Sequence, residues 1–98
     1  NTGVAIKVPE GYVMLLFSRS GHGFNHGIRL VNCVGVIDSD YTGEIVVGLQ
    51  SDNDFHYVVK PKDRICQGII VPIPKVEFVE VNELPETERG SNGFGSTG

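Results

Sequence analysis

Val4-Ala5-Ile6-Lys7-Val8-Pro9-Glu10-Gly11-Tyr12-Val13-Met14-Leu15-Leu16-Phe17 reads as strand, turn, strand. Two runs rich in β-branched and aromatic residues flank a proline and a glycine, which close a turn rather than extend a helix. The unit recurs. Glu44-Ile45-Val46-Val47-Gly48-Leu49, Phe55 to Val59, Ile65 to Ile73 and Val76 to Val81 are further strand-like runs. Ser51-Asp52-Asn53-Asp54 and Lys60-Pro61-Lys62-Asp63 separate them as turns. Short strands at this spacing predict an all-β sandwich or barrel. The one place for a helix follows Arg19-Ser20, and Gly21, Gly23 and Gly27 keep it short. Asn32 to Gly43 reads as a long turn between strands, with Asp38, Asp40 and Tyr41 at its tip. After Pro85 almost nothing remains to bury, and the composition is that of a flexible tail.

With 98 residues the chain has room for one domain and a modest core. Its formal net charge of −4 argues against general nucleic-acid binding, which needs a basic excess. Basic residues are instead focused locally, at Arg19, Arg64 and Arg89. No apolar run reaches the length of a membrane span. Cys33 and Cys66 lie in apolar, strand-like surroundings and are expected as buried free thiols. Two cysteines so far apart exclude a zinc ribbon, and with no sign of secretion an intracellular setting is expected. His22 and His26 are four apart, but the glycine between them and the lack of a third ligand argue against a metal site. His56 reads as a surface or satisfied residue within a strand.

Four segments carry chemistry, and each admits a plain reading beside the functional one. Ser18-Arg19-Ser20-Gly21 follows a strand end and offers a cation, hydroxyls and free N–H groups, either as an anion site or as a solvated loop. Asp63-Arg64-Ile65-Cys66-Gln67 places Arg64 and Gln67 around the start of a strand, and a surface salt bridge is the plain alternative. In Val36-Ile37-Asp38-Ser39-Asp40-Tyr41-Thr42-Gly43 the two carboxylates can bind a metal, act as a base or cap the turn. The tail from Arg89 to Gly98 combines a planar cation, hydroxyls, open backbone and one aromatic ring, Phe94, between glycines. That set suits closure over a nucleotide, and a disordered tail is its alternative. It is not a Walker-type loop, because no Gly-Lys-Ser/Thr follows.

In order and spacing, Arg19-Ser20-Gly21, Gly35 to Gly43, Asp63-Arg64-Ile65-Cys66-Gln67 and Arg89 to Gly98 resemble motifs two to five of the homotrimeric all-β dUTPases. The resemblance extends from Asn1 to Gly98. It implies a dUTPase-like β-barrel of jelly-roll-like (β-clip) form over residues 1–75. Residues 76–98 become a C-terminal arm and glycine-rich tail closing over the site. It also implies hydrolysis of dUTP to dUMP and pyrophosphate, which limits uracil incorporation into DNA, in a homotrimer with shared active sites. By this resemblance Asp38 is the general base, and Tyr41 packs on deoxyribose and leaves no room for a ribose 2′-hydroxyl. Asn32 and the backbone of the turn that follows, with Gly35, Val36 and Ile37, read uracil. Arg19, Ser20, Gly21 and Gln67 contact phosphate, and Arg64 supports that site. Arg89, Ser96 and Thr97 reach the terminal phosphates, while Phe94, next to Gly95, stacks on the base. Mg²⁺ is held mainly by the substrate's phosphates and water, so no direct protein ligand is expected.

One departure stands out. The family's first motif, an Ala-x-Asp-Leu-like segment in the N-terminal strands, has no counterpart, and Asn1-Thr2-Gly3 matches a point well inside the family's chain. The expectation is therefore a stretch of a longer protein. The dCTP deaminases share the fold but carry a catalytic glutamate where Gly48 stands, and glycine cannot move a proton. A dUTP-binding or protein-interaction module that has lost catalysis is the remaining alternative. Retained Asp38, Tyr41 and Phe94 argue against it.

Overall fold

Tyr12–Phe17 form strand β1, and their unbroken apolar run accounts for its position. A strand with apolar side chains on both faces has to be covered on both. Val13 and Leu16, which point to opposite faces, are both buried. In this computed structural model, which describes residues 1–54 and 56–98, β1 is followed by helix α1 (Ser20–His26) and strands β2 (Ile28–Leu30), β3 (Gly35–Ile37), β4 (Leu49–Ser51) and β5 (Gln67–Pro72). β1 lies between β3 and β5, antiparallel to both, with Leu16 opposite Gly35 and Phe17 opposite Gln67. β2 and β4 form a second antiparallel sheet. Leu16, Leu30 and Ile45 join the two sheets into one core, with Met14, Ile37, Val47 and Leu49 packed around them.

The turn before β1 is closed by the Tyr12 N–H donating to the Pro9 carbonyl at 3.1 Å. Gly11, at φ 83°, takes the left-handed position that a type II turn demands. Helix α1 stops where glycine permits it. Gly27 adopts φ 64°, and its N–H donates to the Gly23 carbonyl at 3.1 Å.

The all-β expectation holds, with one short helix among the described residues where it was expected, but several strand boundaries differ. Val4 to Val8 is an extended segment outside any ladder. The Ile45 N–H donates to the Val4 carbonyl at 2.8 Å and the Thr2 N–H to the Ile45 carbonyl at 3.2 Å, so two bonds bracket one residue. Of Glu44–Leu49 only Leu49 enters a strand, and Ile65–Ile73 narrows to β5. Phe55 lies outside the described residues, and His56 to Val59 form no strand, which leaves His56 exposed in irregular chain. Val76 to Val81 is also not a strand, and Phe78 is 95% exposed. β-branched residues suit a pleated, half-buried surface, but a ladder needs a neighbour, and among the described residues these runs enter none.

Asn32 to Gly43 is likewise not one long turn. Gly35–Ile37 pair with β1, and Gly35 lets the strands meet without crowding: a Cβ there would sit 3.1 Å from the Leu16 Cβ. Cys33 is exposed, against expectation. It occupies φ 65° in the turn that its N–H closes on the Leu30 carbonyl, which directs the thiol outward. Cys66 is half-buried, and burial pushes its thiol pKa up.

Candidate functional site

Where β1 ends, Ser18 and Arg19 tie three segments together. The Ser18 hydroxyl accepts the Leu30 N–H at 3.0 Å, and its carbonyl accepts Gln67 Nε2 at 3.1 Å. Arg19 Nη1 donates to the Arg64 carbonyl at 2.7 Å. The loop that opens α1 and the approach to β5 therefore face each other across a cleft of about 1090 Å³. Four residues expected at phosphate, Arg19, Ser20, Gly21 and Gln67, line this cleft together with Arg64, expected to support them. So do Lys60 and Lys62. Half of the chain's 8 basic residues but only one of its 12 acidic residues, Asp63, are found here. The charge of the cleft is thus opposite to that of the whole chain, as an anion site requires.

The second group of expected residues lies on the segment around β3. Asp38 follows β3 directly and is exposed, and its carbonyl accepts the Tyr41 N–H at 3.1 Å. The Lys7 ammonium donates to the Ser39 carbonyl and braces the same turn. The Tyr41 hydroxyl donates to the Glu44 carbonyl at 2.6 Å. Its ring lies against Gly43 so closely that a Cβ on residue 43 would stand 2.7 Å from the hydroxyl oxygen. Asn32 is exposed, and its carbonyl accepts the Val34 N–H at 2.7 Å. In β3, Gly35 is buried, Val36 exposed and Ile37 half-buried. Arg29 stiffens the turn between β2 and β3: its Nε contacts the Asp52 carboxylate at 3.0 Å and its Nη1 donates to the Leu30 carbonyl at 3.1 Å. At position 48, where glycine stands, a Cβ would meet Val31 Cγ2 at 2.7 Å, so a side chain there would have to displace that methyl group.

Within one chain Asp38 stands apart from the cations of the cleft. The register sets Ile37 opposite Met14 and Gln67 opposite Phe17, so Asp38 emerges beside the start of β1 while Arg19 and Gln67 stand at its end, and the cleft runs from there back to Met14. Four residues along a strand amount to about 13 Å, and β3 and β5 are two inter-strand spacings of about 4.8 Å apart. The tail joins neither group. Arg89 Nε and Ser96 Oγ both donate to the Asn92 carbonyl, at 2.7 and 3.2 Å, and Gly95, Thr97 and the Phe94 ring are exposed.

Two features of the cleft are not apparent in the sequence. Lys60-Pro61-Lys62-Asp63 announces a turn, but nothing in it shows that the turn faces Arg19. His22, read only as half of a histidine pair, is buried behind the loop that carries Arg19. Its ring meets Tyr57 edge-on with centroids 5.1 Å apart, and no described residue gives its Nδ1 a hydrogen bond. Burial, then the Arg19 and His26 charges, hold its pKa below the usual imidazole value, against a smaller opposing pull from Asp63. Among the described residues no three His, Cys, Asp or Glu side chains are grouped to hold a metal ion, and no helix is long and apolar enough to cross a membrane.

The dUTPase family model matches residues 1–98. The deoxyuridine 5′-triphosphate nucleotidohydrolase of Finegoldia magna is 47% identical over 97 residues, which are 99% of this chain and 68% of the relative. The enzyme of the same name from Anaplasma marginale is 48% identical over 97 residues, again 99% of this chain and 66% of the relative. The chain thus spans about two thirds of the length of these relatives. Among solved structures, a Staphylococcus bacteriophage 80alpha dUTPase with dUpNHpp superposes with a TM-score of 0.82 at 30% identity, covering 96% of this chain and 71% of that one.

Proposed function

The chain belongs to the dUTPase family, and we propose that it hydrolyses dUTP to dUMP and pyrophosphate at sites assembled between copies of itself. Asp38 accepts a proton from the water that attacks the α-phosphorus. Its exposure at the end of β3 leaves the carboxylate open to that water. Arg19, Ser20, Gly21 and Gln67 receive the phosphates and stabilise the charge that builds on them. Arg64 supports them, since its carbonyl holds Arg19 in place. Tyr41, pinned by Glu44 and by contact with Gly43, is the wall beside the deoxyribose. Asn32 and the backbone of Gly35, Val36 and Ile37 read uracil. Arg89, Ser96 and Thr97 reach the terminal phosphates, and Phe94 and Gly95 close over the base.

Mg²⁺ is the cofactor of this reading. The cleft is lined by four cations and one carboxylate, and Asp63 Oδ2 already accepts the Lys60 N–H at 2.8 Å. Such a donor set fits an ion carried by the substrate's own phosphates and water. When bound, the ion neutralises phosphate charge.

The observation that carries the proposal is the separation, along β1, of Asp38 from Arg19 and Gln67. That separation supports a site in which the base of one chain works with the arginine and glutamine of another. The exposed surface supports assembly. It amounts to 8322 Å², where a compact monomer of this size exposes about 5,500 Å². The radius of gyration, 18.7 Å, compares with about 13 Å for a compact chain of 100 residues. Residues 76–84 carry much of the uncovered apolar surface, including Val76, Phe78, Val79 and Leu84, which suits an arm laid on a neighbouring copy in a trimer.

Complementation tests this. One version ends at Pro85 and another carries Asp38→Asn, each nearly inactive alone. Co-refolded in equal amounts, roughly a quarter of sites regain both base and tail if these come from different subunits of a closed, randomly mixed trimer. A mixture as inactive as its parts would mean that the tail serves its own chain.

A further inference from the structure

Lys62 adopts φ 72°, a left-handed conformation that costs a lysine energy and costs glycine or asparagine little. It is the third residue of a tight turn. The Asp63 N–H donates to the Lys60 carbonyl at 3.1 Å, and the Asp63 carboxylate accepts the Lys60 N–H at 2.8 Å. Pro61 in second place sets the turn, and a turn of this shape takes glycine or asparagine in third place. A lysine held there is a local cost, and such outliers concentrate where a side chain is needed for function. Lys62 lines the same cleft as Arg19, Arg64 and Gln67, and Lys60 stands two residues away on the same rim.

We propose that Lys62, assisted by Lys60, is a second rank of phosphate recognition. The two ammonium groups draw the triphosphate into the cleft and hold its outer phosphates before the tail closes. The inference rests on the hydrolase reading above and extends it to residues outside the four motif segments' phosphate contacts. A flexible, exposed ammonium suits this task. It attracts a polyanion over a distance set by the ionic strength, without the fixed geometry of the guanidinium on Arg19. The chain as a whole is acidic, with a net charge of −4, while this cleft gathers four of its 8 basic residues and one of its 12 acidic ones, so an incoming polyanion is favoured here.

The test compares wild type with Lys62→Gly, Lys62→Asn and Lys62→Arg. Gly and Asn suit the backbone and remove the charge, while Arg keeps the charge and the backbone cost. Two quantities are read at low and at high salt: kcat/KM for dUTP, and the affinity for inorganic tripolyphosphate by calorimetry. At low salt, Lys62→Gly and Lys62→Asn lower kcat/KM by about fivefold, with the loss carried by KM, and weaken tripolyphosphate binding in parallel. Lys62→Arg stays near wild type, and the differences shrink at high salt as charges are screened. Melting temperatures of the Gly and Asn variants at or above wild type separate this loss from misfolding. Unchanged kcat/KM and tripolyphosphate affinity in Lys62→Gly at both salt concentrations would overturn the proposal and leave Lys62 a turn residue. If wild type itself failed to hydrolyse dUTP, the hydrolase reading would fall, and the tripolyphosphate series alone would decide for or against Lys62.

Discussion

His22→Leu should stabilise the protein, and more so in acid. The imidazole is 5% exposed, and its Nδ1 lacks a partner among the described residues. A buried polar group without a hydrogen bond costs about 1–3 kcal/mol. Leucine removes that cost but forfeits the edge-on contact with Tyr57, which is worth about 0.5–1.5 kcal/mol. The net gain at pH 7.5 is therefore about 1 kcal/mol, or about 4–8 °C in Tm for a domain of this size. The pH dependence has a definite sign. Burial, then the neighbouring Arg19 and His26, lower the folded pKa of His22 against a smaller pull from Asp63, so the unfolded chain takes up the proton first. Stability is whole above the unfolded value of about 6.5 and falls as the pH drops from there toward the folded pKa, by up to about 1.4 kcal/mol per pH unit. Leucine does not titrate, so the gap between the two proteins should widen between pH 7.5 and 5.5. Thermal melts followed by circular dichroism, at one fixed protomer concentration because assembly contributes to Tm, measure this. A variant that melts below wild type at both pH values, or parallels its pH dependence, would refute the account of His22 as a buried, uncompensated imidazole.

Two further substitutions probe the site. Gly43→Ala places a methyl group within 2.7 Å of the Tyr41 hydroxyl and must displace the ring, breaking its bond to the Glu44 carbonyl. The ratio of kcat/KM for UTP to that for dUTP should rise, and an unchanged ratio would mean the sugar is read elsewhere. Phe94→Trp puts the only tryptophan of the chain at a fully exposed tail position. Its emission should change on addition of dUpNHpp in the presence of Mg²⁺, and a silent reporter would show a tail that stays free.

Much of this was legible in the sequence because the information is local. Pro9-Glu10-Gly11 and the runs on either side predict a turn and a strand, and turn geometry depends on residues in direct succession. Gly27 ends α1 for the same kind of reason, since its left-handed φ is a property of one residue. The motif segments could be located because each is a short contiguous run. What they hold can be read from side-chain chemistry: a carboxylate at Asp38, a guanidinium at Arg19, a lone ring at Phe94.

Only the tertiary structure decided which of these share a site. The antiparallel register of β1 with β3 and β5 sends Asp38 to one end of the sheet and Arg19 and Gln67 to the other, and no local signal encodes that register. It likewise turned Lys60 and Lys62 toward Arg19, buried His22 behind the loop and left Cys33 exposed. Strand composition alone misled at Val4–Val8 and Val76–Val81. β-branched residues suit a pleated, half-buried surface, whereas a ladder needs two segments, distant in sequence or on different chains, to supply that surface.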